Sequence, residues 1–130
     1  MPSFERLNAY QPYALAALRI ITALLFIEHG TMKLFAFPIP QPGLGDSLPP
    51  MLLAAALLEV FGGLAILVGF LTRPVAFILS GQMAVAYFMA HAPSGFYPAE
   101  NGGEAAILYC FIFLFLVFAG AGAFAIDKRR

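Results

Sequence analysis

Cysteine occurs once in the 130 residues, and that scarcity removes several kinds of chemistry at the outset. One thiol cannot close an intramolecular disulfide or form a CxxC dithiol, and it cannot build a four-cysteine zinc site or an iron–sulfur cluster within one chain. An excess of positive charge is also missing. Seven Lys and Arg balance seven Asp and Glu, so nothing draws the chain to a nucleic-acid backbone, and no nucleic-acid partner is expected. Charge of either sign is scarce, at 11% of residues against 62% apolar, with a mean hydropathy of +0.87. Soluble domains are nearer half apolar and a quarter charged, so the solvent for this excess is a lipid bilayer.

A helix needs roughly 20 mostly apolar residues to cross the hydrocarbon. Four stretches are predicted to do so: 13–35, 50–71, 74–90 and 103–126. Together they make an all-α, integral-membrane four-helix bundle, a single domain over 1–130. Leu71-Thr72-Arg73-Pro74 breaks the second span from the third, because proline lacks an N–H and disfavours helix in the residue before it. Arg19 inside the first apolar run argues against a cleaved signal peptide. Phe37–Pro50 holds five prolines and reads as an irregular loop. Ala92–Gly102 is a second loop, with Phe96-Tyr97 suited to a headgroup interface. Arg6, Arg73, Lys128, Arg129 and Arg130 fall on one side of this topology, which predicts both termini in the cytoplasm.

Ionisable groups within membrane helices cost roughly 2.5–3.5 kcal/mol at the centre on insertion scales, so they face protein or a cavity. The first span carries Arg19, Glu28, His29 and Lys33, the second Glu59, and the third Gln82 with His91 at its end; the fourth opens with Asn101 and Glu104. His29 and Lys33 stack at i,i+4, with Arg19 lower on nearly the same face and Glu28 opposite. At about 1.5 Å per residue, Glu59 lies about 18 Å above the cytoplasmic end, Arg19 about 9 Å, His29 about 24 Å and Lys33 about 30 Å. Glu59 is therefore open to Arg19 from below or His29 from above.

His29, Lys33, Glu59, His91 and Glu104 are expected to converge in one polar pocket in the outer half, opening outward, with Arg19 and Asn101 contributing. Each also has a plainer reading. Arg19 with Glu59 is a pair that fixes helix register, Lys33 snorkels to the headgroups, His91 is an interfacial helix end, and Glu104 complements a helix dipole. Glu28 is left to a second subunit or to Gln82. The stripe Ala55, Ala56, Glu59, Gly62, Gly63 lets another backbone approach, so Gly62-Gly63 is no phosphate loop. No metal site is expected, and Cys110 reads as inert packing.

Several stretches now resemble the DoxX family of small bacterial integral-membrane proteins: Arg19, His29-Gly30-Thr31-Met32-Lys33-Leu34-Phe35, Leu58-Glu59-Val60-Phe61-Gly62-Gly63 and Gly69-Phe70-Leu71-Thr72-Arg73-Pro74. Met83-Ala84-Val85-Ala86-Tyr87-Phe88 with His91, Asn101-Gly102-Gly103-Glu104, and Ala119-Gly120-Ala121-Gly122 before Asp127 extend the match. The resemblance implies a four-helix bundle in the bacterial inner membrane and, by relation to a quinone-linked thiosulfate-oxidising subunit, membrane oxidoreductase work. Some relatives are associated with oxidative-stress complexes.

On that reading His29 and Lys33 donate to quinone carbonyls, Glu59 relays protons, and Phe26, Phe61 or Phe88 flank the ring. The sequence holds no flavin, nicotinamide or iron–sulfur motif, so electrons come from a protein partner or from a haem held by His29 and His91. Two other functions remain open. One is a non-enzymatic assembly or scaffold subunit, pairing with a protein partner or with itself through its glycine faces; the other is a small-solute or proton pathway.

Overall fold

The computed structural model describes residues 2–128 and contains helices and turns, with no strand among them. Arg129 and Arg130, counted above for orientation, lie outside the described residues. A short N-terminal helix and a 3₁₀ turn lead into α1, Gln11–Phe35, with Pro12 in its first turn, where a missing N–H costs no hydrogen bond. Ala36 ends α1 in the left-handed conformation, and Thr31 Oγ1 donates to Phe37 O at 2.7 Å. The proline-rich loop then leads to α2, Pro50–Val68, which runs through a π-turn at Leu58–Gly62. α3, Thr72–Ser94, contains a second π-turn at Tyr87–His91 and closes in a 3₁₀ turn. A single helical turn, Pro98–Asn101, precedes α4, Glu104–Ala119.

α1, with its N-terminal extension from Arg6, and α2 and α3 are long and apolar enough to cross a membrane. α4 is apolar but has 16 residues. The expected fourth span to residue 126 is thus cut short at Ala119. Gly120 and Gly122 take φ of +79° and +75°, so the chain leaves the helix and continues as a non-helical strap over 120–127. The third helix exceeds its expected end at 90, because the π-turn carries the backbone on past His91.

Successive helices run antiparallel, as their cross-contacts show. A Cβ on Gly30 would stand 2.6 Å from Val60 Cγ2 and 2.9 Å from Ala56 O, so glycine is what lets α1 close on α2. Gly62 admits Leu79 of α3, and Ser80 Oγ donates to Cys110 O of α4 at 2.8 Å. The stripe read from α2 is therefore used up inside the chain. Phe26, Ile66, Leu79, Phe113 and Leu116 fill the core between these helices. Near the base, Ile126 N and Asp127 N donate to Val68 O (3.0 Å) and Gly69 O (2.8 Å), stitching the strap to the end of α2.

Candidate functional site

Glu59 sits in the π-turn of α2, nine residues from Val68, and Gln82 lies ten residues beyond Thr72 on α3. At about 1.5 Å per residue both are about 14–15 Å from the basal helix ends. Helical side chains lean toward their own N-terminus. Lys33, near the top of α1, therefore reaches down to this level and donates to Glu59 Oε1 at 2.7 Å and to His29 O at 3.4 Å. Gln82 Nε2 donates to Glu59 Oε2 at 2.9 Å and to Ala55 O at 3.4 Å. The Lys33 and Glu59 side chains are 7% and 4% exposed, which makes this an internal ion pair rather than a snorkelling lysine. Gln82 Oε1 is buried with no donor. Two carboxylate oxygens, one ammonium and one free amide carbonyl thus meet in the interior.

Beside this group runs the seam between α1 and α4, where aromatic rings make much of the contact. Phe26 meets Tyr109 and Phe113 at ring-centroid distances of 5.3 and 4.9 Å, and His29 stands edge-on to Tyr109 at 5.7 Å. His29 and Tyr109 are half-buried, and Glu28 is exposed on the same turn as His29. Tyr109 escaped the sequence reading because one tyrosine in an apolar run carries no spacing signal. Gln82 was visible as a polar residue in a span, but its partner was not. It joins Glu59, so the contact considered for Glu28 is not made.

Other predicted site residues are placed elsewhere. Arg19, fully buried, does not pair with Glu59. Its guanidinium donates to the carbonyls of Ala121, Ala123 (2.9 Å), Phe124 (2.7 Å) and Leu67 (3.4 Å), so backbone dipoles of the strap stand where a carboxylate was expected. His91 Nδ1 donates to Asn101 O at 3.2 Å, and its ring stacks on Tyr87. Asn101 Nδ2 donates to Tyr87 Oη and Gly95 O, each at 3.0 Å, while its Oδ1 accepts from Gly103 N at 2.8 Å. These residues form a separate knot where α3 ends and α4 begins. Glu104 is exposed on the first turn of α4, beside Pro98 and Leu108, outside both groups. Phe61 and Phe88 are 66% and 70% exposed on the outer surface, leaving Phe26 as the proposed ring neighbour inside the fold.

A large open groove, about 1270 Å³, lies not at this site but at the opposite end, between the start of α1, the α2–α3 turn and the end of α4. There Asp127 Oδ1 and Oδ2 accept from Leu71 N and Thr72 N, each at 2.8 Å. Burial pushes the Asp127 carboxyl up, but the bonds from Thr72 and Leu71 and the charge of Arg19 outweigh it and hold it below the usual carboxylate range.

Residues 14–92 match the DoxX family profile. The chain belongs to the DoxX family. It is 49% identical over 132 aligned residues, 96% of each chain, to an uncharacterized protein of Haemophilus influenzae. It is also 33% identical to the inner membrane protein YqjF of Escherichia coli, over 85% of this chain and 86% of that one. No solved structure matches. With its three long apolar helices, this DoxX-family chain is a multi-pass inner membrane protein embedded in the lipid bilayer. The matched segment includes Arg19, His29, Lys33, Glu59, Gln82 and His91 but stops before Asn101 and Tyr109.

Proposed function

We propose that this protein is a four-helix membrane subunit, both termini cytoplasmic, that binds a quinone at the α1–α4 seam and moves protons through Lys33 and Glu59. The observation that carries this reading is the buried Lys33–Glu59–Gln82 group, one carbonyl still lacking a donor, behind a half-buried aromatic seam. Charged groups inside a membrane protein are costly and mark ion, proton or ligand paths. Glu59 sits on a π-turn, a distortion often found at functional sites. A lipophilic planar ring entering from the bilayer would meet Phe26 and Tyr109, with His29 and Lys33 as donors to its carbonyls. In the reduced form its hydroxyl would satisfy Gln82 Oε1. Two protons pass by way of Glu59, and the two electrons come from a partner redox protein.

The fourth crossing in this topology is α4 completed by the strap. Arg19 holds that crossing together, and the His91–Asn101 knot caps the outer end. The test is a lipid extraction of detergent-purified protein with an absorption spectrum alongside. Isoprenoid quinone is expected in the wild type and lost in Glu59→Gln and His29→Ala variants that still insert and stay monodisperse. Quinone-free protein that co-purifies with a fixed partner would give the lead to an assembly subunit instead. The internal use of the α2 glycines removes one argument for that alternative.

A further inference from the structure

We infer that the groove at the base of the chain seats the phosphate headgroup of an anionic phospholipid. It is bounded by an apolar wall, including Leu15, Leu18 and Phe115, and carries Arg73 and Lys128. Basic pockets between membrane helices on the cytoplasmic side are suited to anionic headgroups. This assignment stands apart from the quinone reading, since no residue is shared between the two sites.

Both cations are available. Among the described residues the ion pair is Lys33 with Glu59, and neither Arg73 nor Lys128 has a carboxylate partner. The one acidic residue lining the groove, Asp127, spends both oxygens on the first amides of α3. Arg73 is also held in a defined place. Its Nη1 donates to Val117 O at 3.0 Å and Phe118 O at 2.6 Å, which satisfies the end of α4. Its Nη2 makes no hydrogen bond among the described residues and lies over Gly120, where a Cβ would come within 3.0 Å of it. The guanidinium is thus anchored by one nitrogen and presents the other.

The wall chooses the occupant. Leu71 and Phe115 are about half exposed beside the charges, so a bound molecule with acyl chains covers apolar surface that a free phosphate would leave bare. A zwitterionic lipid brings its own cation up against Arg73 and Lys128. An anionic glycerophospholipid meets both demands.

The full chain, purified in detergent, is titrated with phosphatidylglycerol, phosphatidylcholine or inorganic phosphate, and retained lipid is counted by native mass spectrometry. Preferential retention of one phosphatidylglycerol is expected. Lys128→Gln should weaken it about five-fold, and adding Arg73→Gln should bring the loss to about 25-fold. Retention of phosphatidylcholine should not change. Arg73→Gln also uncovers the end of α4, so exposed Lys128, changed to Gln or Glu, keeps the test independent of folding. Equal retention of the two lipids overturns the assignment, as does a preference that survives Lys128→Glu. Displacement of the lipid by millimolar inorganic phosphate would mark a free-anion site and overturn it too.

Discussion

Lys33 and Glu59 sit at different heights on antiparallel helices, and the 2.7 Å contact between them exists because the lysine side chain leans back along α1. The ammonium donates to Glu59 Oε1 and His29 O, and the other carboxylate oxygen accepts from Gln82. The pair should therefore behave as one unit. Removing either partner strands a buried charge at a typical cost of about 3–5 kcal/mol. A double-mutant cycle of Lys33→Met and Glu59→Gln, followed by unfolding in detergent, should be strongly non-additive. The same cycle between Arg19→Met and Glu59→Gln should be additive.

Arg19 predicts a different phenotype. Arg19→Met leaves the carbonyls of Ala121, Ala123 and Phe124 without their donor, at a cost of at least about 3 kcal/mol. Hydrogen exchange should rise across 120–127 while α1 to α3 stay protected. Arg19→Lys should rescue little, because a single ammonium cannot span acceptors that the planar fork reaches together. Equal protection of the strap in wild type and variant would show that these bonds do not hold it.

How much of this was legible in the sequence depends on what set each feature. The apolar runs and the break at Leu71-Thr72-Arg73-Pro74 place the first three helices within a few residues of expectation, because each signal is local. α4 ends early because Gly120 and Gly122 adopt positive φ, while hydropathy alone reads their apolar neighbours as more helix. Lys33 and Glu59 are expected in one pocket, but the individual pairings of the polar residues are not legible. Arg19 finds main-chain carbonyls, which have no side-chain signature. Lys33 finds Glu59 by reach rather than by depth, and helix rotation decides that Glu104 faces outward.

Asp127 gives the chain an acid-sensitive joint. Its carboxyl is held below the usual range, so its contribution is complete above the unfolded value, about pH 4, and is lost as pH falls through the lower folded value. The melting temperature of the wild type should drop over that interval. Asp127→Asn should start lower and show a flatter acid limb, and parallel limbs would remove Asp127 as the cause.

Glycine substitutions separate packing from helix propensity. Gly30→Ala forces a Cβ against Ala56 O and should destabilise by about 1–3 kcal/mol, since backbone cannot rotate away. Gly81→Ala meets nothing within 4 Å and should be neutral or stabilising by up to about 1 kcal/mol. Thermal unfolding of the two proteins side by side checks the contrast.

Orientation is open to a direct reading. Reporter fusions after Gly45, Arg73 and Pro98 should report outside, inside and outside. A cytoplasmic signal at Gly45 would sink the proposed topology.

The strap also sets a schedule for biosynthesis. Arg19 belongs to α1, yet its acceptor Ala121 lies 102 residues later. At roughly 5–20 residues per second, the guanidinium waits on the order of 5–20 s before its acceptors in the strap exist. Over that interval it must be solvated by water, by lipid headgroups or by the insertion machinery. Maturation of α1 is thus tied to translation of the strap, and a chain terminated after Ala119 would contain α1 to α4 while its buried Arg19 lacked all acceptors but Leu67.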